Sequence, residues 1–258
     1  MPHITPRVNF LIAGTQKGGT TALAHFLAQH PHVFISRQKE LHFFDRDKYF
    51  RARTPNYTWY HQHFQGCDGY RAVGEATPIY MFWPAAAPRI HAYNPAMKLI
   101  LLLRNPIERA YSDYIMERRR GFELLPFRWA IRVEPLRRRW LPSLLARHYL
   151  YTSRGFYSQQ IQHLLHYFPR EQMLILKTEE LREDHYGTLQ RVCAFLGVDP
   201  FPAIKQEIVF SNEYAPMSLD DWQLLQRIFA QEIDTLEALL GWDCSSWRRP
   251  PSPSRTMS

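Results

Sequence analysis

Short unbroken apolar runs alternate along the chain with longer segments of helical period. Phe10–Ala13, Met97–Leu103 and Met173–Leu176 each lack a polar break, apart from Lys98. Such runs predict strands covered on both faces. His32–Ile35 and the stretch around Ala72 and Val73 predict two shorter strands. Apolar residues spaced for one helical face appear at Ile161, Leu164, Leu165 and Phe168, and again from Leu224 to Leu240. Further helices are predicted from Thr20 up to Pro31, over 84–91, from Pro106 to about Arg119, and over Leu189–Leu196, which Gly197 terminates. Thr54–Gln65 predicts a short aromatic helix, Gly121–Pro142 a charged irregular stretch, and Pro200–Pro216 mostly loop. Strands that alternate with helices imply an α/β fold, with a central, mostly parallel sheet flanked by helices and joined by right-handed crossovers. One domain is expected over residues 1–244, followed by a disordered tail of Pro, Ser and Arg over 245–258.

The first strand runs directly into Gly14-Thr15-Gln16-Lys17-Gly18-Gly19-Thr20-Thr21 and then a helix. A strand, a glycine turn and a helix start bring backbone N–H groups together on one point, which suits an anion. Lys17 adds a full charge, and Thr20 and Thr21 add hydroxyls. The alternative is an ordinary βα turn that happens to carry a lysine. The topology is P-loop-like, but the pattern departs from that of a nucleoside triphosphate loop. Gly14 and Gly19 keep the spacing, yet Thr20 stands where that loop has its lysine. The strand over 98–103 ends in Arg104 rather than in an aspartate able to hold magnesium. These features point to a phosphate-bearing ligand gripped without a metal.

Ser36–Asp45 reads S-R-Q-K-E-L-H-F-F-D. In an extended segment Glu40 and His42 share one side, with Phe43 and Phe44 as anchors; a solvated loop with an aromatic plug is the alternative. Glu75-Ala76-Thr77-Pro78 is expected just past a strand, at the end of the sheet where ligands lie in open α/β folds. Arg104 and Ser112 are placed so that both could reach one phosphate group. The other possibility pairs Arg104 with Glu108 and leaves Ser112 in solvent. Arg118–Arg120 and Arg137–Arg139 form basic clusters that read either as solvated faces or as a surface for an anionic acceptor.

The balance of 32 Lys and Arg against 24 Asp and Glu leaves a net charge of +8, which suits an anionic partner of any kind. Three scattered cysteines, Cys67, Cys193 and Cys244, make neither a zinc pattern nor a disulfide framework, and favour a reducing compartment. No apolar stretch has the length of a membrane span, and none near the start resembles a secretion signal, so the expected location is the cytoplasm.

Four ordered motifs together resemble the sulfotransferases that use 3′-phosphoadenosine 5′-phosphosulfate (PAPS), above all the heparan sulfate N- and 3-O-sulfotransferase branch. F-L-I-A-G-T-Q-K-G-G-T-T-A-L is similar to the 5′-phosphosulfate loop, and K-E-L-H-F-F-D to the catalytic segment. L-I-L-L-L-R-N-P-I-E-R-A-Y-S-D-Y resembles the 3′-phosphate motif. S-R-G-F-Y with Y-F-P-R-E-Q-M-L-I-L-K-T-E-E-L resembles the segment beyond the acceptor loops. The resemblance implies sulfuryl transfer from PAPS to an acceptor hydroxyl or amine, with no metal and no nucleic-acid partner. Gln16, Lys17, Gly18, Gly19, Thr20 and Thr21 would hold the 5′-phosphosulfate, and Arg104 and Ser112 the 3′-phosphate. Glu40 would be the general base, with His42 at the acceptor and Lys17 on the developing charge. Two departures stand out. Ala76 occupies the place of a lysine in the 3-O-sulfotransferases, which leaves Lys39 or Arg37 to supply that charge. The C-terminal Lys-Gly-Arg cofactor loop is missing, with 211–217 as its structural replacement. A nucleotide kinase-like phosphotransferase and a non-catalytic polyanion-binding protein are the alternatives from other classes.

Overall fold

The computed structural model describes residues 7–52, 54–142, 145, 147–201 and 215–250. They fall into two compact units: one comprises the chain up to Arg104 together with 160–211, and the other comprises 105–159 and the chain from 212 onward.

The first unit is built on five parallel strands: β1 Phe10–Gly14, β2 Val33–Ile35, β3 Ala72–Ala76, β4 Lys98–Leu103 and β5 Met173–Lys177, in the order β2-β3-β1-β4-β5. The parallel α/β expectation is met. Leu99 to Leu103 are fully buried, and each such side chain contributes roughly 1.5–3 kcal/mol on leaving water. That burial explains why β4 reads as a pure apolar run. Gly74 lets β3 lie tightly along β1, since a Cβ there would fall 2.5 Å from the Phe10 carbonyl oxygen. The chain goes from β1 outward to β2, returns through β3, and crosses to β4 on the other side of β1. The reversal therefore falls between β1 and β4, where the loops beyond the strand ends diverge and leave a crevice. Helices α1 Thr20–Leu27, α2 Thr58–Gln62 and α3 Ala86–Tyr93 belong to this unit.

The second unit contains α4 Pro106–Arg119, α5 Phe127–Trp140, part of α6 Tyr157–Leu165, and, from the later chain, α9 Leu219–Leu240. Between these in sequence, α7 Thr178–Glu183 and α8 His185–Leu196 return to the first unit. Pro106 starts α4, and the Asn105 side chain caps it by accepting from the Ile107 N–H at 3.0 Å. Ser218 caps α9 in the same way, accepting from Asp221, and Gly241 ends it in the left-handed conformation. The fully buried Arg109 pairs with Asp113 at 3.1 Å, and Arg154 reaches the same carboxylate oxygen at 3.1 Å.

Three expectations need correction. The stretch over 121–142 is not irregular but carries α5. Its inner face is Phe127, Ala130, Ile131 and Glu134. A buried glutamate in that row and Pro135 inside the helix hide the apolar period. Glu134 is there because its carboxylate accepts the Thr152 and Ser153 N–H groups at 2.8 and 2.7 Å. Next, Glu75 and Ala76 do not follow β3 but end it. Finally, the expected tail begins too early: Ser245–Arg248 forms a turn with Trp247 buried, while 251–258 lie outside the described residues.

Candidate active site

The loop after β1 is shaped by backbone contacts. The Gly18 N–H donates to the Thr15 carbonyl at 2.9 Å, and the Thr15 N–H to Leu102 at 3.0 Å. A Cβ on Gly18 would lie 2.4 Å from the Leu102 carbonyl oxygen, so no other residue fits without moving backbone. Gly19 precedes α1 at φ 87° with no side-chain cap, which leaves the first N–H groups of the helix to a ligand. Lys17 holds φ 68°. Thr20 is buried and Thr21 half-buried, and the buried Oε1 of Gln16 has no hydrogen-bond partner among the described residues.

Arg104, at the end of β4, places a guanidinium nitrogen 3.5 Å from the Lys17 carbonyl oxygen. The arginine and the lysine loop thus flank the β1/β4 crevice together. Ser112 is 4 % exposed on α4, in the second unit, so it is not the solvated serine of the alternative reading. Thr178, which sequence reasoning did not single out, bonds the Gly18 carbonyl at 2.7 Å through its hydroxyl. The available signal was its position directly after a strand that borders β4.

The segment over 36–45 is anchored as expected but not extended. Phe43 and Phe44 are fully buried against Tyr60. Glu40 and His42 take φ values of 55° and 52°, both left-handed. An L-residue pays roughly 1–2 kcal/mol for that conformation, and such strain gathers where a segment is held for a function. The two side chains do share one side, with His42 Nε2 3.5 Å from the Glu40 carboxylate. The Glu40 N–H donates to the Ala76 carbonyl at 3.0 Å. His42 Nδ1 lies 3.0 Å from Asp45. Lys39 donates to the Thr21 hydroxyl, and its Nζ is 3.6 Å from Glu40. Lys39 therefore links the phosphate-type loop to the carboxylate, whereas Arg37 is exposed.

Burial raises the Glu40 pKa, but the hydrogen bond from His42 and the charges of Lys39 and His42 outweigh it, and the net shift is downward. Burial works to lower the His42 pKa, yet Asp45 and Glu40 lift it to about 9. Near neutral pH the pair is a carboxylate facing an imidazolium.

Beneath it lies Glu75, fully buried. Tyr60, Thr77 and Tyr80 donate to its carboxylate at 3.1, 2.5 and 2.9 Å, and the Leu41 backbone joins them. Burial pushes this carboxyl up to about 7 against those donors. The Tyr80 hydroxyl also accepts the Phe43 N–H at 3.0 Å. Glu75 thus fixes the Glu40 segment from below. A buried acid within a strand gives no local sign of that role.

The sequence profile of the sulfotransferase domain family matches residues 7–221. The chain is 36% identical over 193 residues to human heparan sulfate glucosamine 3-O-sulfotransferase 6, a match covering 73% of this chain and 52% of that protein. Over 109 residues it is 38% identical to the membrane-associated sulfotransferase kil1 of Dictyostelium discoideum, covering 41% of this chain and 22% of that one. The chain thus spans about half the length, or less, of these curated relatives. The crystal structure of a sulfotransferase from Alicyclobacillus acidocaldarius superimposes with a TM-score of 0.82 at 33% identity, over 95% of this chain and 100% of that one. No helix among the described residues is long and apolar enough to cross a membrane.

Proposed function

The chain belongs to the sulfotransferase domain family, and from that premise we propose that it moves a sulfuryl group from PAPS to a hydroxyl of a carbohydrate acceptor. The observation that carries the reading is the shared position of Lys17, Lys39, Glu40 and His42 around the loop after β1, joined by the Lys39–Thr21 and His42–Glu40 contacts. The family assignment does not favour the kinase-like and non-catalytic readings.

PAPS supplies a sulfur already bonded to a good leaving group. In this reading the backbone N–H groups of Gly19, Thr20 and Thr21, with Gln16 and Lys17, hold the 5′-phosphosulfate, and Gly18, bonded to Thr15, shapes the loop. Arg104 holds the 3′-phosphate. The Glu40 carboxylate takes the acceptor proton as the acceptor oxygen bonds to sulfur, while the S–O bond to the 5′-phosphate breaks. Glu40 is suited to this because its lowered pKa keeps it ionised. His42, protonated up to about pH 9, cannot accept that proton. It serves instead as a cation beside the acceptor. Lys17 stabilises the charge gathering on the departing phosphate. Lys39 and His42 together supply the positive charge that the 3-O-sulfotransferase pattern has as a lysine at position 76. Strong resemblance to a heparan sulfate 3-O-sulfotransferase makes a glucosamine-containing saccharide the first acceptor to try. Three buried cysteines outside any disulfide agree with a cytoplasmic location.

Calorimetry with 3′-phosphoadenosine 5′-phosphate in a metal chelator tests the donor assignment. Binding is expected without metal, and Arg104→Ala is expected to weaken it far more than it weakens adenosine 5′-phosphosulfate, which lacks the 3′-phosphate. Binding that requires magnesium, or equal loss for both ligands, overturns it. Turnover with PAPS over sulfated glucosamine oligosaccharides and simple phenols then tests the acceptor class, and exclusive turnover of phenols overturns it.

A further inference from the structure

We infer that the outer face of α5 is a docking surface for an anionic lipid bilayer, on which the protein rests without crossing it. The inference is independent of the reaction proposed above.

Among the described residues, eleven large apolar side chains are exposed, and six of them fall between 122 and 145: Phe122, Leu124, Trp129, Leu136, Trp140 and Leu145. Such crowding is not how singly scattered surface apolar groups distribute. On α5 the geometry is ordered. Phe127, Ala130, Ile131 and Glu134 face inward. At 100° per residue, Trp129, Leu136 and Trp140 then project to the opposite side, with Arg132 among them and Arg139 on one flank. Trp129, Leu136 and Trp140 are 55%, 60% and 73% exposed.

Charge selects the partner. Residues 118–147 contain nine arginines and two glutamates. Both acids, Glu123 and Glu134, are buried, and Glu123 is paired with Arg137, so this stretch shows arginine and no acid to solvent. Arg132 lies over the Trp129 ring at 5.1 Å, and Arg139 over Trp140 at 5.5 Å. A guanidinium stacked on an indole stays at headgroup level while the ring enters the boundary with the acyl chains. Tryptophan and leucine on the exposed row with arginine beside them is the composition of an interfacial helix. A sulfated polysaccharide would use the arginines but gain little from Leu124, Leu136 and Leu145.

Vesicle flotation tests this on the full chain, with phosphatidylcholine vesicles and with vesicles in which about a third of the lipid is phosphatidylserine. The protein is expected to float with the second and not the first, with a blue shift of tryptophan emission. Trp129→Ala with Trp140→Ala should lower partitioning at least roughly tenfold and abolish the shift. Arg132→Gln with Arg139→Gln should lower it roughly thirtyfold and flatten its salt dependence. All these side chains are exposed, so melting temperature and affinity for 3′-phosphoadenosine 5′-phosphate should not change. If the double tryptophan variant fails to fold, Trp140→Gln at the helix end gives the same reading. Absence of binding to the anionic vesicles, or unchanged partitioning without the tryptophans, overturns the inference. So does a face whose tryptophans matter only for heparin retention, or only for a dimer seen by sedimentation.

Discussion

His42 Nε2 sits 3.5 Å from the Glu40 carboxylate although both residues hold the left-handed backbone conformation. These two strained residues, with only Leu41 between them, turn their side chains toward each other, and the arrangement survives because the chain on either side is pinned. Glu40 is bonded through its N–H to Ala76, and Phe43 is sealed in the aromatic core. The pair shares charge: the carboxylate helps raise the imidazole, and the imidazole helps lower the carboxyl.

Glu40→Gln should leave donor affinity intact and cut turnover by roughly 10²–10⁴, the scale of a lost general base. It should also move the His42 pKa down from about 9, which ring-proton NMR titration would follow. A variant that turns over normally, or a His42 titration that does not move, would remove the base assignment.

Activity should hold on a plateau through neutral pH and fall as His42 loses its proton near pH 9. In His42→Ala that alkaline limb should disappear along with most of the rate. The same group bears on stability. Its native pKa lies above the ordinary 6.5, so its stabilising contribution is complete below 6.5 and fades as pH climbs through about 9. Denaturant titrations of wild type and variant across that range measure the difference, and parallel curves would count against it.

Lys17→Gly should separate function from stability. The lysine's left-handed φ of 68° is unfavourable for an L-residue by roughly 1–2 kcal/mol, and glycine removes that cost while adding roughly 0.5–1 kcal/mol of unfolded-chain entropy. The variant is expected to unfold at the same denaturant concentration or a higher one, yet to lose transfer. Marked destabilisation would show that the lysine side chain holds the loop together.

Gly18→Ala should disable donor binding without unfolding the sheet, because the added methyl meets the Leu102 carbonyl and displaces the loop. Affinity for 3′-phosphoadenosine 5′-phosphate and far-UV circular dichroism read the two effects apart. Wild-type affinity would mean the loop tolerates the displacement.

Glu75→Gln should cost about 1–3 kcal/mol, since an amide nitrogen would face hydroxyl donors. It should also change the pH response. The wild-type carboxyl titrates near 7 in the fold against 4.5 in the unfolded chain. The native state therefore holds the extra proton between those values, and stability falls as pH rises from about 4.5 to 7. The variant should lack that slope, and an unchanged slope would rule the carboxyl out as its source.

Much of the fold was legible in the chain because burial on both faces leaves a local mark. β1, β4 and β5 read as apolar runs, α4 announces itself by Pro106, and α9 by its apolar spacing from Leu224 to Leu240. The phosphate-type loop was equally legible, since its glycines answer to backbone geometry within a few residues. Order and type of the strands, the family motifs and the candidate residues around Lys17 and Glu40 were thus in the sequence by itself. Tertiary structure alone decided the rest, because it depends on partners far apart in the chain. Glu134 disguised α5 by being polar and buried, a choice that makes sense only beside the Thr152 and Ser153 N–H groups. Glu75 became a support for the Glu40 segment only through Tyr60, Thr77 and Tyr80. The His42 pKa is lifted to about 9 because Asp45 and Glu40 close around it, and electrostatics at a few ångströms is not written in residue order.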